Sequence, residues 1–331
     1  MRVRLDHGRQ SPDRAGTVAQ AAAGRRHCAQ RVERLVTIGF IGFGEAGSSI
    51  AGGLRSAGVE HIVAFDIATH DPHLGPAIQE RAGRSETDVV ESSADLASSS
   101  DIVFSTVTSS SALDAARQTV PFLEPRHIYA DLNSVSPALK QDIARVVGAS
   151  GARFVEVAVM APVLPYGHRV PMLLGGPDAP LFLDAMAPFG LRMQTLAGAP
   201  VGAAAAVKMC RSIVVKGLEA LMCECVLAAS RFDADAHVFA SLNESFPGID
   251  WKTLADYMVG RVVLHGERRA REMEEVADTL RAIGVEPIMA EAAARRQDWS
   301  AHRDLRSHFG PEGPATYREV LDVIASTTTR A

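Results

Sequence analysis

Three groups of residues have types and spacings that can do chemistry. The first is Gly42-Phe43-Gly44-Glu45-Ala46-Gly47, a Gly-x-Gly-x-x-Gly run. Glycines so spaced give a tight turn, a backbone that can approach a pyrophosphate, and a close helix–strand contact. Asp66 stands 19 residues after Gly47, ending the run His61-Ile62-Val63-Ala64-Phe65. A carboxylate there would accept hydrogen bonds from the hydroxyls of an adenosine ribose. The second group is Asp131-Leu132-Asn133-Ser134-Val135-Ser136-Pro137, dense in short hydrogen-bonding side chains. Part of it reads as a capped helix start, and Asn133 and Ser134 are candidate donors to a substrate. The third is Lys208, set in Val201-Gly202-Ala203-Ala204-Ala205-Ala206-Val207-Lys208-Met209-Cys210. A lysine among alanines faces either a partly desolvated cleft or the exposed rim of a packed helix. In a cleft its pKa falls and it can exchange a proton. Ser212 follows on the same helical face, with Arg211 and Lys216 on the flank.

The glycine run needs a strand before it and a helix after it. Val36-Thr37-Ile38-Gly39-Phe40-Ile41 is apolar and β-branched, as a buried parallel strand would be, and Ile50, Ala51 and Leu54 recur at helical spacing. Further strands are expected over 61–66, 101–107, 127–131, 154–159 and 172–174, while 67–80 reads as a loop. Val107 and Thr108 lead into the polar stretch Ser109-Ser110-Ser111. That is the strand end where open α/β sheets bind ligands, so both residues are expected beside a cofactor. From Val201 to Ser230 a proline-free series of helix formers predicts one long helix. Beyond Trp251 the pattern is helical. Met273, Val276, Leu280 and Ile283 form an apolar stripe for core or dimer packing, and Gly284-Val285-Glu286-Pro287 ends it. The expected fold is α/β. A Rossmann-type doubly wound sheet spans 36–200, and the long helix joins it to an all-α domain over 201–331.

Composition narrows the partners. The 331 residues carry a net charge of -5, which argues against a general nucleic-acid or membrane surface. No apolar run has the length to span a bilayer. The 4 cysteines show neither CxxC nor zinc spacing, so no metal is expected and a reduced, cytoplasmic chain is. Residues 1–35 are arginine-rich without apolar periodicity and read as a disordered extension. A translation start placed too far upstream accounts for them more simply than a transit peptide, because they contain acids and few serines. Asp66, and the absence of Lys or Arg from 67–80, favour NAD on charge grounds, with NADP the alternative if an arginine approaches from elsewhere.

Taken together, the glycine run with Asp66, the 131–137 segment, Phe154-Val155-Glu156-Val157-Ala158-Val159, and Gly202 to Lys208 resemble the β-hydroxyacid dehydrogenase family in kind and order. That family includes 3-hydroxyisobutyrate, tartronate semialdehyde and 6-phosphogluconate dehydrogenases. The resemblance covers residues 36 to about 230. It implies that Lys208 is the catalytic acid/base, with Ser212 and Asn133 beside it, Ser134, Met160, Arg211 and Lys216 near an acidic small-molecule substrate, and a helical domain that makes a homodimer. There are departures. Asn133-Ser134 replaces the family's Ser-Thr, Met160-Ala161-Pro162 replaces its Ser-Gly-Gly, and Ser212 replaces its Asn. Val215 stands where phosphogluconate enzymes keep a glutamate that assists decarboxylation, so simple oxidation or reduction is expected. Two further readings stay open. One is a nicotinamide-binding regulator without turnover, which has no need of Lys208. The other is an imine-reducing relative, a branch that usually lacks the lysine. His265, Arg268, Arg269 and Glu272 form either a solvated face or a contact for an acidic substrate group.

Overall fold

The computed structural model describes residues 36–328. The extension expected at 1–35 lies outside them. The elements run β1 (Thr37–Ile41), α1 (Glu45–Ser56), β2 (His61–Phe65), α2 (Gly75–Ser85), β3 (Asp88–Val89), α3 (Ser93–Ser98), β4 (Ile102–Ser105), α4 (Ala112–Thr119), β5 (Ile128–Asp131), α5 (Pro137–Gly148), β6 (Arg153–Val159), β7 (Met172–Gly175), α6 (Ala179–Met186) and β8 (Met193–Thr195). Helices alone follow: α7 (Ala203–Ala229), α8 (Asp235–Ser245), α9 (Trp251–Ala282), α10 (Ile288–His302) and α11 (Tyr317–Thr328).

The strands form one sheet in the order β3-β2-β1-β4-β5-β6-β7-β8. All neighbours pair parallel except β6 with β7. The chain leaves β1 in one direction along the sheet and returns to its other side at β4. This places a crevice at the carboxyl ends of β1 and β4, where such sheets bind ligands. Alternate strand residues fill the two faces. Ile38, Phe40, Ile62, Phe104 and Val155 pack under α1 and α6, and Val63, Val103, Tyr129 and Phe154 pack under α3, α4 and α5. The expected α/β architecture, a doubly wound sheet followed by an all-helical region joined through a long helix, is what the chain adopts.

Three local expectations need correcting. The segment 67–80 is not all loop, because α2 begins at Gly75 with a proline in its first turn, where a missing N–H costs nothing. Two short strands, β3 and β8, were not expected, since runs of two and three residues carry no readable period. Ile283 leaves the apolar stripe. It follows the last residue of α9 and is 67% exposed, whereas Met273 and Val276 are buried against α7 and α10.

The helical region has two apolar clusters. Met222, Cys223 and Val226 of α7 meet Val259 and Val262 of α9 and Tyr317 of α11, and Met209 meets Met273 and Ala294. Between the clusters lies a buried polar group in which Glu219 accepts hydrogen bonds from Arg269 and from Gln297 Nε2, the latter at 3.1 Å. A charge in such a place needs a partner, and these two supply it. Arg269 is thereby fixed inside the helical bundle.

Candidate active site

The glycine loop is built by its backbone. Gly42 adopts φ +79, its N–H donates to the Phe65 carbonyl at 2.9 Å, and its carbonyl accepts from Thr106 Oγ1 at 2.6 Å. A Cβ on Gly47 would lie 2.7 Å from Thr106 Oγ1, so α1 and the end of β4 approach only because it is glycine. Gly44 differs, since a Cβ there would meet nothing within 4 Å. No neighbouring protein atom requires glycine at 44, and its bare side is where a phosphate could approach. Gly44 is also the N-cap of α1 and makes no side-chain capping bond, which leaves the helix start open to an anion. Asp66 is pinned at the mouth of this loop. Its Oδ2 accepts the Phe43 N–H at 2.8 Å and its Oδ1 the Ala68 N–H at 2.9 Å. The loop and Asp66 therefore fit the pyrophosphate and ribose of a dinucleotide. Of the remaining loop residues, Phe43 turns its ring into the core against Phe40, while Glu45 is exposed and Ala46 half-buried. Val107 lies against Gly42, and Thr108 is exposed, donating to Ser111 Oγ at 2.9 Å.

The loop after β5 is held by a buried ion pair. Lys140, on the first turn of α5, donates to the Asp131 carbonyl at 2.7 Å and to Asp131 Oδ2 at 3.1 Å. Asp131 Oδ1 in turn accepts the Asn133 backbone N–H at 3.1 Å, and Asn133 Nδ2 donates to Ser105 Oγ at 2.9 Å. The expectation that Asn133 donates to a substrate is thus corrected. Its donor is engaged, and the atom without a partner is the buried Oδ1, an acceptor. Ser134 is exposed at the lip of the loop, and Ser136 caps α5 by accepting the Leu139 N–H at 3.2 Å.

The helix α7 is aimed by Glu156. This carboxylate is fully buried in β6 and accepts N–H bonds from Gly202 at 2.7 Å, Ala205 at 2.6 Å and Ala204 at 3.4 Å. It replaces the missing side-chain cap and sits on the positive end of the helix. Lys208 lies one turn further on. It lines a single cleft together with Asn133, Ser134 and Val135, Lys140, Ser212 and Lys216, and Glu272, Glu275 and Val276 of α9. Burial, then the nearby Lys140, bring its pKa from 10.5 down to about 8, against the pull of Glu272 and Glu275. Lys216 Nζ bonds Glu272 at 2.7 Å and Ser212 Oγ at 3.2 Å. Burial raises the Glu272 carboxyl, but Lys216 and Arg268 outweigh it and hold the group below its usual value. Glu275 shifts the other way, raised chiefly by burial. The free space between these groups is about 30 Å³, that of one water molecule.

The cleft thus gathers Lys208, Ser212, Asn133, Ser134 and Lys216. It does not gather Arg211, which is exposed, or Met160, which packs against Ala158, Leu173 and Ala204. The cluster His265, Arg268, Arg269 and Glu272 divides in part. Arg269 is tied to Glu219, Glu272 turns to the cleft, and His265 and Arg268 line a separate hollow with Arg306, Arg268 also pairing with Glu272. Glu156, Lys140 and Glu275 were not singled out for roles from the sequence. Glu156 carried a signal, because an acid inside an apolar strand must find buried partners. Lys140 and Glu275 carried none that local spacing could reveal.

The sequence also matches known families. Residues 37–164 match the NAD binding domain of 6-phosphogluconate dehydrogenase, and residues 229–300 match a domain of unknown function (DUF1932). A solved conserved hypothetical protein from Sinorhizobium meliloti 1021 is 34% identical, with a TM-score of 0.73 over 89% of this chain and 97% of that one. A second solved protein, of unknown function and described as structurally similar to 3-hydroxyacid dehydrogenases, is 31% identical, with a TM-score of 0.69 over 82% of this chain and 99% of the other. The 3-hydroxyisobutyrate dehydrogenase of Mycobacterium tuberculosis, solved with L-serine, shares the fold at 15% identity, with a TM-score of 0.68 over 88% and 99% of the two chains. With the glycine loop, Asp66 and the ordered motifs all in their places, the chain belongs to the NAD(P)-binding β-hydroxyacid dehydrogenase family, in a divergent branch whose similar members include conserved hypothetical proteins.

Proposed function

We propose that this protein is an NAD-dependent oxidoreductase acting on a small hydroxyacid or related alcohol, with Lys208 as its general acid/base. The observation that carries the reading is Lys208 itself. It faces a partly desolvated cleft, has no carboxylate within ion-pair distance among the described residues, and has its pKa brought down to about 8 by burial. A bound nicotinamide would supply the hydride acceptor or donor. In oxidation the neutral Lys208 amine takes the substrate hydroxyl proton, and in reduction its ammonium returns one. Asn133 Oδ1 and Ser212 Oγ orient the substrate, and Glu156 fixes the helix that carries the lysine. Asp66, with no Lys or Arg in 67–80, favours NAD over NADP. Val215 occupies the α7 position that would hold a decarboxylation-assisting acid, and Glu272 is kept ionised by Lys216, so the reaction is oxidation or reduction without assisted decarboxylation. Among the described residues no helix is long and apolar enough to cross a membrane. The cysteines, which show neither CxxC nor zinc spacing, support a reduced, cytoplasmic protein. The apolar residues Val207, Val214, Leu218 and Leu221 stand exposed along α7 at near-heptad spacing and support a homodimer. The test is a screen of small alcohols and their carbonyl counterparts, followed by cofactor absorbance, with Lys208→Met beside the wild type. A loss of roughly 10²–10⁴-fold is expected. Turnover by Lys208→Met within a few-fold of wild type would refute the role, whereas wild-type protein that binds NADH and turns over none of the candidates would favour a nicotinamide-binding regulator.

A further inference from the structure

Lysine is scarce in this chain. Of its 34 lysines and arginines only Lys140, Lys208, Lys216 and Lys252 are lysines. Lys252 lies on the surface with Asp256 at 2.8 Å, and the other three all line the cleft. Their attachments differ. Lys216 is held by Glu272 at 2.7 Å and Lys140 by Asp131 at 3.1 Å, while Lys208 has no ion-pair partner among the described residues. The Lys140–Asp131 pair is oriented. Both side chains are buried, yet Lys140 lines the cleft and Asp131 does not. The pair is also fixed. Lys140 Nζ donates to the Asp131 carbonyl at 2.7 Å as well as to Oδ2, and Asp131 Oδ1 is turned to the Asn133 N–H at 3.1 Å. The carboxylate thus faces the loop after β5, and its cation faces the cleft. The charged groups acting on Lys208 are Lys140 from α5, Lys216 from its own helix, and Glu272 and Glu275 from α9, and Asp131 is not among them. Of these four Lys140 acts most strongly. A second ammonium in a partly desolvated space disfavours the charged form of the first.

We propose that Lys140 is a positioning residue of the reaction: held by Asp131, it presents a fixed positive charge to the cleft, and that charge readies Lys208 as the base. This role rests on Lys208 being the acid/base. Lys140 itself transfers no proton. It acts on oxidation by keeping the Lys208 amine neutral, with its lone pair free for the substrate hydroxyl proton. The same ion pair holds Asp131 Oδ1 on Asn133, so it sets the loop and charges the cleft together.

The test is nuclear magnetic resonance of the full chain labelled with ¹³C at lysine Cε, whose few signals are assigned by replacing each lysine in turn. The protein is titrated free of substrate, because a bound acid would raise Lys208 again. In wild type the Lys208 signal should titrate at about 8, well below the ordinary 10.5. In Lys140→Met it should move up by about one pH unit, a tenfold gain in proton affinity. Lys140→Met combined with Asp131→Asn leaves no lone buried carboxylate. It should show the same upward move, and it serves where the single variant does not fold. Ser105→Ala removes the partner of Asn133 Nδ2, so it loosens the same loop and keeps the charge, and Lys208 should stay at its wild-type value. With an active substrate, oxidation by Lys140→Met at neutral pH should fall about tenfold and recover as the pH rises through about 9. The proposal is overturned if wild-type Lys208 titrates at the ordinary value, if the Lys140 variants leave it unmoved, or if Ser105→Ala moves it as far as they do. Failure of the underlying reading looks different, because it appears as turnover that survives Lys208→Met, whatever the titration shows.

Discussion

Replacing Glu156 with glutamine should loosen the start of α7 and move Lys208. The carboxylate is fully buried, and it takes two short N–H bonds, 2.7 and 2.6 Å, from a helix start that has no other cap. A hydrogen bond to a charged group contributes about 1.5–3 kcal/mol, and a carboxylate at a helix N-terminus about 0.3–2 kcal/mol. Glutamine keeps one acceptor oxygen but turns an NH₂ toward the remaining N–H groups, so one strong bond and the charge are lost. A destabilisation of about 2–4 kcal/mol is expected. In guanidinium denaturation the midpoint should fall with the slope unchanged, the mark of altered stability with no change in the denatured state. The kinetic consequence follows from geometry, because Lys208 lies one turn past the bonded N–H groups. Turnover should fall by about tenfold or more while NADH affinity stays within a few-fold, since displacing a reacting group by about 1 Å can cost 10²-fold. A Glu156→Gln protein within about 0.5 kcal/mol of wild type, with normal turnover, would refute the reasoning. It would mean that α7 is positioned by its apolar packing alone.

Further outcomes follow from other parts of the molecule. NAD(H) should bind more tightly than NADP(H) in calorimetry, because Asp66 is held at the loop mouth by two backbone N–H groups and would repel a 2′-phosphate. A tenfold preference for NADP(H), about 1.4 kcal/mol the other way, would show that a basic residue outside 67–80 dominates. With an active substrate, CO₂ should not appear at the rate of NADH formation, and stoichiometric release would assign Glu275 the acid role that Val215 cannot fill. Sedimentation should show a dimer that Leu218→Glu converts to monomer, and a wild-type monomer at tens of micromolar would remove the α7 stripe as an interface.

The sheet was legible because buried parallel strands are apolar over their whole length. Val36 to Ile41, the stretch around Phe104, and Phe154 to Val159 stand out without any knowledge of their partners. The glycine loop was legible because its signature is local, with the glycines and Asp66 within about 25 residues, although Thr106 closes it from the next strand. The walls of the cleft are not local. Lys208, Lys140 and Glu275 lie on three helices far apart in sequence, and only packing brings them together. Arg211 shows the limit from the other side. It is three residues from Lys208, which turns it about 60° round the helix, and that turn is enough for it to face solvent. Glu156 could have been given its role, because a lone acid in an apolar strand has to be satisfied by something, and the uncapped helix start was the nearest deficit.

The central claim, that Lys208 shuttles the proton, is tested most directly by the pH dependence of kcat/KM in both directions. The groups facing Lys208 are Lys140, Lys216, Glu272 and Glu275, and their sum with burial sets its pKa at about 8. Oxidation needs the neutral amine, so its rate should rise with pH through about 8 and level off above. Reduction needs the ammonium, so it should be level below that pH and fall above it. In Lys208→Met the residual rate should lose this inflection in both directions. Profiles that are flat from about pH 6.5 to 9.5, or an inflection that persists unchanged in Lys208→Met, would contradict the account.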